Sequence, residues 1–116
     1  MCRFHDIIWD LGWTMHEEKV EVMDHASTDL CHHFKACVRF ITDANAKGGK
    51  TLVHCFQGKS RSVSVACAYL MITSEGMVGF QEALEIVRRA RPVAEPNLGF
   101  AAQLRTLEKT LQAQSV

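Results

Sequence analysis

The chain has 116 residues, 47% of them hydrophobic and 22% charged, which is too apolar for a disordered chain and long enough to bury roughly two thirds of its unfolded surface around one core. Thirteen basic and thirteen acidic side chains cancel, so no net field draws it to nucleic acid or an acidic membrane, and any anion it binds must be held locally. The opening MCRFHDIIWD lacks an apolar core of signal-peptide length, VSVACAYLMI is too short to span a bilayer, and the five cysteines have no disulfide-like spacing, so an intracellular protein with free thiols is expected, cytoplasmic and open to the nucleus.

In chain order, DIIW (6–9) and KVEVM (19–23) are short, partly alternating runs that predict strands. After DHASTD (24–29), where Ser27 or Thr28 can cap a helix, Leu30, Phe34, Val38 and Ile41 recur at helical spacing until Gly48 and Gly49 end the element. KTLVHC (50–55) predicts a short strand covered on both faces. From Arg61 to about Thr73 the pattern is helical again, with Val65, Ala66, Tyr69 and Leu70 as the expected apolar face. Beyond Gly76, Phe80, Leu84 and Val87 form a stripe in FQEALEIVRRAR, which Pro92 stops. A last helix from about Asn97 carries Phe100, Leu104, Leu107 and Leu111 on one side. With no repeat or flexible linker, strands alternating with helices predict one α/β domain over residues 1–116, its central sheet mostly parallel and flanked by helices.

The stretch HCFQGKSRS (54–62) joins the best-defined strand to the helix after it. In such a turn the backbone N–H groups from Phe56 through Gln57, Gly58, Lys59 and Ser60 to Arg61 can face inward as an anion-binding nest, and the helix adds the positive end of its dipole. Gly58 gives the turn backbone freedom. Arg61 offers a planar fork for two phosphoryl oxygens. The same groups favour the thiolate of Cys55 over the neutral thiol. Ser62 can hydrogen-bond the sulfur as it departs, and His54 can brace the loop through backbone contacts.

This arrangement resembles the protein tyrosine phosphatase superfamily, whose signature is His-Cys, five residues, then Arg followed by Ser or Thr. The SRS ending and the AYLM downstream look like the dual-specificity branch, and VRRARPVAEPNLGFAAQL is similar to the C-terminal segment of small atypical dual-specificity phosphatases. The resemblance runs from about position 20 to the end and leaves residues 1–18 unmatched. It implies a phosphatase-like fold with a short front. It also implies hydrolysis of phosphotyrosine, and of phosphoserine and phosphothreonine, in a phosphorylated protein substrate through a phosphocysteine on Cys55, with no metal or cofactor. An aspartate on a loop about thirty residues before the cysteine is implied as general acid: Asp24 occupies that place, and Asp29, at the start of the following helix, stands second. Asn97 matches the asparagine of the family's PN pair, implied to support the loop, and reads equally well as a helix N-cap.

Other readings stay open at this point. Only twenty-three residues precede Asp24, fewer than relatives carry, so one or two strands are expected to be missing, with an unpaired sheet edge as the result. A catalytically impaired phospho-binding or scaffold module is the alternative to an enzyme, and a rhodanese-like sulfurtransferase is a third that has no use for Asp24. Adjacent positions such as Cys31, His32 and His33 make poor joint ligands, so no metal site is expected. Cys31, Cys37 or Cys67 could lie near enough to Cys55 for a protective disulfide. Lys59 adds one positive charge to the pocket, less than lipid-phosphate relatives carry, which ranks phosphoprotein above inositol lipid.

Overall fold

The computed structural model describes residues 2–8, 14–20, 23–55 and 59–114, with the strands at 2–8 and 14–20 and positions 50 and 52 described by their backbone. Its elements are β1 (Cys2–Ile8), β2 (Thr14–Val20), α1 (Cys31–Ala46), β3 (Lys50–His54), α2 (Arg61–Thr73), α3 (Phe80–Ala90) and α4 (Leu98–Gln114). The four helices fall where their periodicities predict. The first two strands are displaced. β1 takes in Asp6–Ile8 of the expected DIIW, and β2 takes only Lys19 and Val20 of KVEVM, while positions 9, 21 and 22 lie outside the described residues.

The expected mostly parallel sheet is corrected by the pairing: the three strands lie in the order β2-β1-β3 and both pairings are antiparallel. Five residues separate β1 from β2, and so short a connection can join only antiparallel neighbours, because a parallel crossover needs a dozen or more. The β2-α1-β3 unit does return its second strand in the direction of the first. However, β1 lies between the two, in register Cys2 with Val20 on one side and Arg3 with His54 on the other.

Helix α2 is the centre of the molecule. It packs on α1, α3 and α4 and against β1 and β3, whereas among the described residues α3 and α4 touch no strand. The apolar face expected at Val65, Ala66, Tyr69 and Leu70 is therefore too narrow. Val63, Val65, Cys67, Ala68 and Met71 are buried, and Ala66, Tyr69 and Leu70 only partly so. A helix covered on most sides has no single stripe to read. The main core gathers Leu30, Phe34, Met71, Phe80, Phe100 and Leu104 from all four helices and the segment before α1. A smaller cluster of Cys37, Ile41 and Val65, with Val53, Cys55 and Tyr69 against it, fastens α1 and α2 to the end of β3. Phe34 and Phe100 are fully buried, each contributing about 1.5–3 kcal/mol by transfer from water.

Helix ends explain how the layers are held. Helix α1 stops in a turn where Gly48, at φ 79°, donates to Asn45 O and Gly49 to Ala44 O, a left-handed position that glycine adopts without strain. Its start is capped by neither Ser27 nor Thr28. Gln103 of α4 accepts from the amides of Leu30 (2.9 Å) and Cys31 (2.7 Å) and donates to Thr28 O (2.8 Å), and Asp29 accepts from the His32 amide. Glu108 of α4 likewise accepts from the Phe80 amide at the start of α3 (3.1 Å). One helix thus supplies the missing partners of two others.

Candidate active site

A run of β-favouring residues carries β3 to His54, and Cys55 follows directly at its carboxyl end. Helix α2 starts six residues later at Arg61, after an N-cap position held by Ser60. Ser60 is buried, and its carbonyl accepts from both the amide (2.9 Å) and the hydroxyl (2.7 Å) of the fully buried Ser64, which closes the first turn of α2. Pinned this way, the helix start turns the Ser62 amide toward the cysteine. The Ser62 amide donates to Cys55 Sγ at 3.5 Å, and Ser62 Oγ lies 3.3 Å from the same sulfur. Cys55 and Arg61 are both half-buried, and the Arg61 Nε atom is fully buried. His54, the last residue of β3, is half-buried and lines a cleft with Ser62 and Arg91. Phe56, Gln57 and Gly58, the middle of the anticipated anion nest, lie outside the described residues.

The segment after α3 closes the loop from the other side. Arg91, just before Pro92, is extended at φ −137°, as the proline ring requires of its predecessor, and the chain leaves the helix. Arg88 Nε donates to Ala94 O (2.9 Å), tying that segment back to α3. The Glu95 amide donates to Lys59 O (2.7 Å) and the Asn97 amide to Ser60 Oγ (2.9 Å), so residues 95–97 run along the end of the loop. Lys59 is not a free cation, because its ammonium lies 3.7 Å from the Glu95 carboxylate, both being largely exposed. The pocket's expected extra positive charge is thereby offset.

The Asn97 side chain makes two contacts, neither of them to the cysteine loop, which only its backbone amide reaches. Its Oδ1 accepts from the Phe100 amide (2.8 Å) as an N-cap of α4, and its Nδ2 donates to Asp24 Oδ1 (2.9 Å). Asp24 is exposed and lines a cleft of about 250 Å³ with Lys59, Ser60, Glu95, Asn97 and Leu98. Gly99 makes the approach possible, since a side chain there would collide with the Ala26 carbonyl. Asp29, the second candidate acid, is instead engaged at the start of α1 with His32.

Cys55, Arg61 and Ser62 therefore converge at one helix start, and Asp24, Lys59, Ser60 and Asn97 line one cleft beside it. Sequence reasoning missed Glu95, Gln103 and Gly99. All three lie in the segment that carried the resemblance, but their partners are distant in the chain. Of the other thiols, Cys37 is buried in the small cluster that Cys55 borders. Cys67 is buried in the main core, which pushes its thiol up to about 12 although Arg88 opposes this, and the Cys31 thiol is raised chiefly by burial and further by Asp29. Among the described residues no three His, Cys, Asp or Glu side chains are grouped as a metal site, and no helix is long and apolar enough to cross a membrane.

Comparison with known proteins agrees with this geometry. Residues 11–110 match the model of the dual specificity phosphatase catalytic domain. Dual specificity protein phosphatase 1 of Arabidopsis thaliana is 50% identical over 93 residues, covering 80% of this chain and 46% of that protein. Dual specificity phosphatase 28 of Mus musculus is 45% identical over 100 residues, covering 86% and 60% respectively. The crystal structure of a mouse putative dual specificity phosphatase complexed with zinc tungstate superposes with a TM-score of 0.77 at 43% identity, covering 84% of this chain and 60% of that one. That of human DUSP28 gives 0.76 at 40% identity, covering 80% and 62%. The chain spans about half the length of the curated relatives it matches. The strand-to-helix cysteine loop, the aspartate held beside it and the match over residues 11–110 agree: the chain belongs to the dual-specificity phosphatase catalytic-domain family.

Proposed function

We propose that this chain is a single catalytic domain hydrolysing phosphotyrosine, and phosphoserine and phosphothreonine, in phosphorylated proteins of the cytoplasm and nucleus. Cys55 Sγ attacks phosphorus, forming the S–P bond as the ester P–O bond breaks, and Asp24 gives its proton to the leaving oxygen. In the second half the Asp24 carboxylate takes a proton from water, which attacks phosphorus and breaks the S–P bond, releasing phosphate and the sulfur. Arg61 and the loop amides from Phe56 to Ser60 hold the phosphoryl oxygens, a charge stabilisation that calls for no metal. Ser62 stabilises the departing sulfur through its hydroxyl and amide, and His54 braces the strand end. The tungstate complex of the mouse relative supports an oxyanion ligand, since tungstate and phosphate are both tetrahedral oxyanions.

The observation that carries this reading is Asn97, which binds Asp24 with one side-chain atom and Ser60 with its amide, and so fixes a proton donor relative to the cysteine loop. The test is turnover of a small aryl phosphate by purified, reduced protein with a chelator present. Turnover is expected in the wild type and none in Cys55→Ser, which should still bind phosphate or vanadate. Binding without turnover in the wild type would make the chain a phospho-binding module instead.

A further inference from the structure

Among the described residues four large apolar side chains stand well exposed, Met23, Met77, Val93 and Leu98, and two of the four flank the Asp24–Asn97 hydrogen bond. Leu98, 85% exposed, is the first residue of α4 and lines the same cleft as Asp24, Lys59, Ser60 and Glu95. Met23, 74% exposed, immediately precedes Asp24. The hydrogen bond between Asp24 and Asn97 and the close approach of Gly99 to Ala26 hold the two segments side by side. One exposed leucine means little. Leu98 on the cleft wall, with Met23 next to the lining residue Asp24, is placed to meet whatever adjoins a phosphate held by the cysteine loop.

The charges of that cleft point the same way. Glu95 offsets Lys59 at 3.7 Å, so the wall keeps no spare cation for an acidic side chain. A phosphoresidue flanked by acidic side chains, or a phosphate on an anionic lipid surface, would bring negative charge against Glu95 and compete with it for Lys59. A phosphopeptide with apolar neighbours would instead cover Leu98 and Met23.

We propose that this cleft seats the substrate residue next to the phosphoresidue, with Leu98 and Met23 selecting an apolar side chain there and Glu95 disfavouring an acidic one. The proposal rests on the phosphatase reading above and specifies its protein substrate.

The experiment compares two phosphotyrosine peptides, identical except for leucine or glutamate on both sides of the phosphoresidue, with a small aryl phosphate as the reference that has no flanking residues. The leucine peptide should show a kcat/KM about tenfold higher. Leu98→Ser combined with Met23→Ser should erase that advantage relative to the aryl phosphate, and Glu95→Gln should raise the glutamate peptide about threefold. Equal rates for the two peptides, a preference untouched by these variants, or faster release of phosphate from phosphoinositide vesicles than from either peptide would overturn the proposal. If the wild type turns over no aryl phosphate, the phosphatase reading fails separately. Fluorescence anisotropy of the same two peptides on Cys55→Ser then reads the preference as binding, with equal affinities overturning it.

Discussion

Asn97 is where local structure and chemistry meet in one residue: its side chain caps α4 and holds Asp24, and its backbone amide donates to Ser60 Oγ. Asp24→Ala is expected to lower turnover of an aryl phosphate by about 10² to 10⁴ and to remove the basic limb of its pH–rate profile, the limb that reports a required protonated acid. Asn97→Ala should lower kcat more than it alters KM, because Asp24 loses its tether, and should cost about 1 kcal/mol in urea unfolding through the lost cap. Asp29→Ala should leave the pH profile intact. Cys55 and Arg61 were legible in the sequence because their spacing lies within one strand-loop-helix unit. Asn97 was legible only as a pair of alternatives, since its partners are 37 and 73 positions away.

Helix spans were readable, including the stops at Gly48 and before Pro92, but the side chain that caps the start of α1 was not. Periodicity located α1, yet the choice of Ser27 or Thr28 as its cap assumed that a helix is capped by its own neighbours. Gln103, 72 and 73 positions distant, does that work for the amides of Cys31 and Leu30. Gln103→Ala is expected to destabilise the fold by about 1–2 kcal/mol, near the upper range for a lost cap because one side chain serves two amides. Ser27→Ala, at an exposed position outside the cap, should fall within about 0.5 kcal/mol. Denaturant midpoints of the two variants measure the contrast. The strands β1 and β2 were the least legible elements, whereas β3 lies where KTLVHC predicts it. Most of β2 is TMHEE, a largely polar run without the sustained alternation that would mark a strand.

At the scale of the molecule, strand and helix alternation identified the α/β class but not the direction of pairing, which depends on β1 lying between β2 and β3. The central place of α2 was hidden for a related reason, because burial on several faces erases the stripe that marks an amphipathic helix. Gly99 lets the start of α4 lie against the segment before α1 at Ala26. Gly99→Ala is expected to cost about 1–3 kcal/mol in thermal or urea unfolding, since the clash is with the Ala26 backbone and cannot be relieved by a rotamer change. It should also lower kcat on aryl phosphate, as α4 moves away from Asp24.

Gln103 and Glu108 lie on α4 itself, and Asn97 immediately before it, so three separate attachments share one support. Undocking that helix would release the first turns of α1 and α3 together with Asp24, the proposed acid. Amide exchange at Leu30 and Phe80 should then report the same opening event, and the competence of the catalytic groups should vanish along with it rather than fade ahead of it.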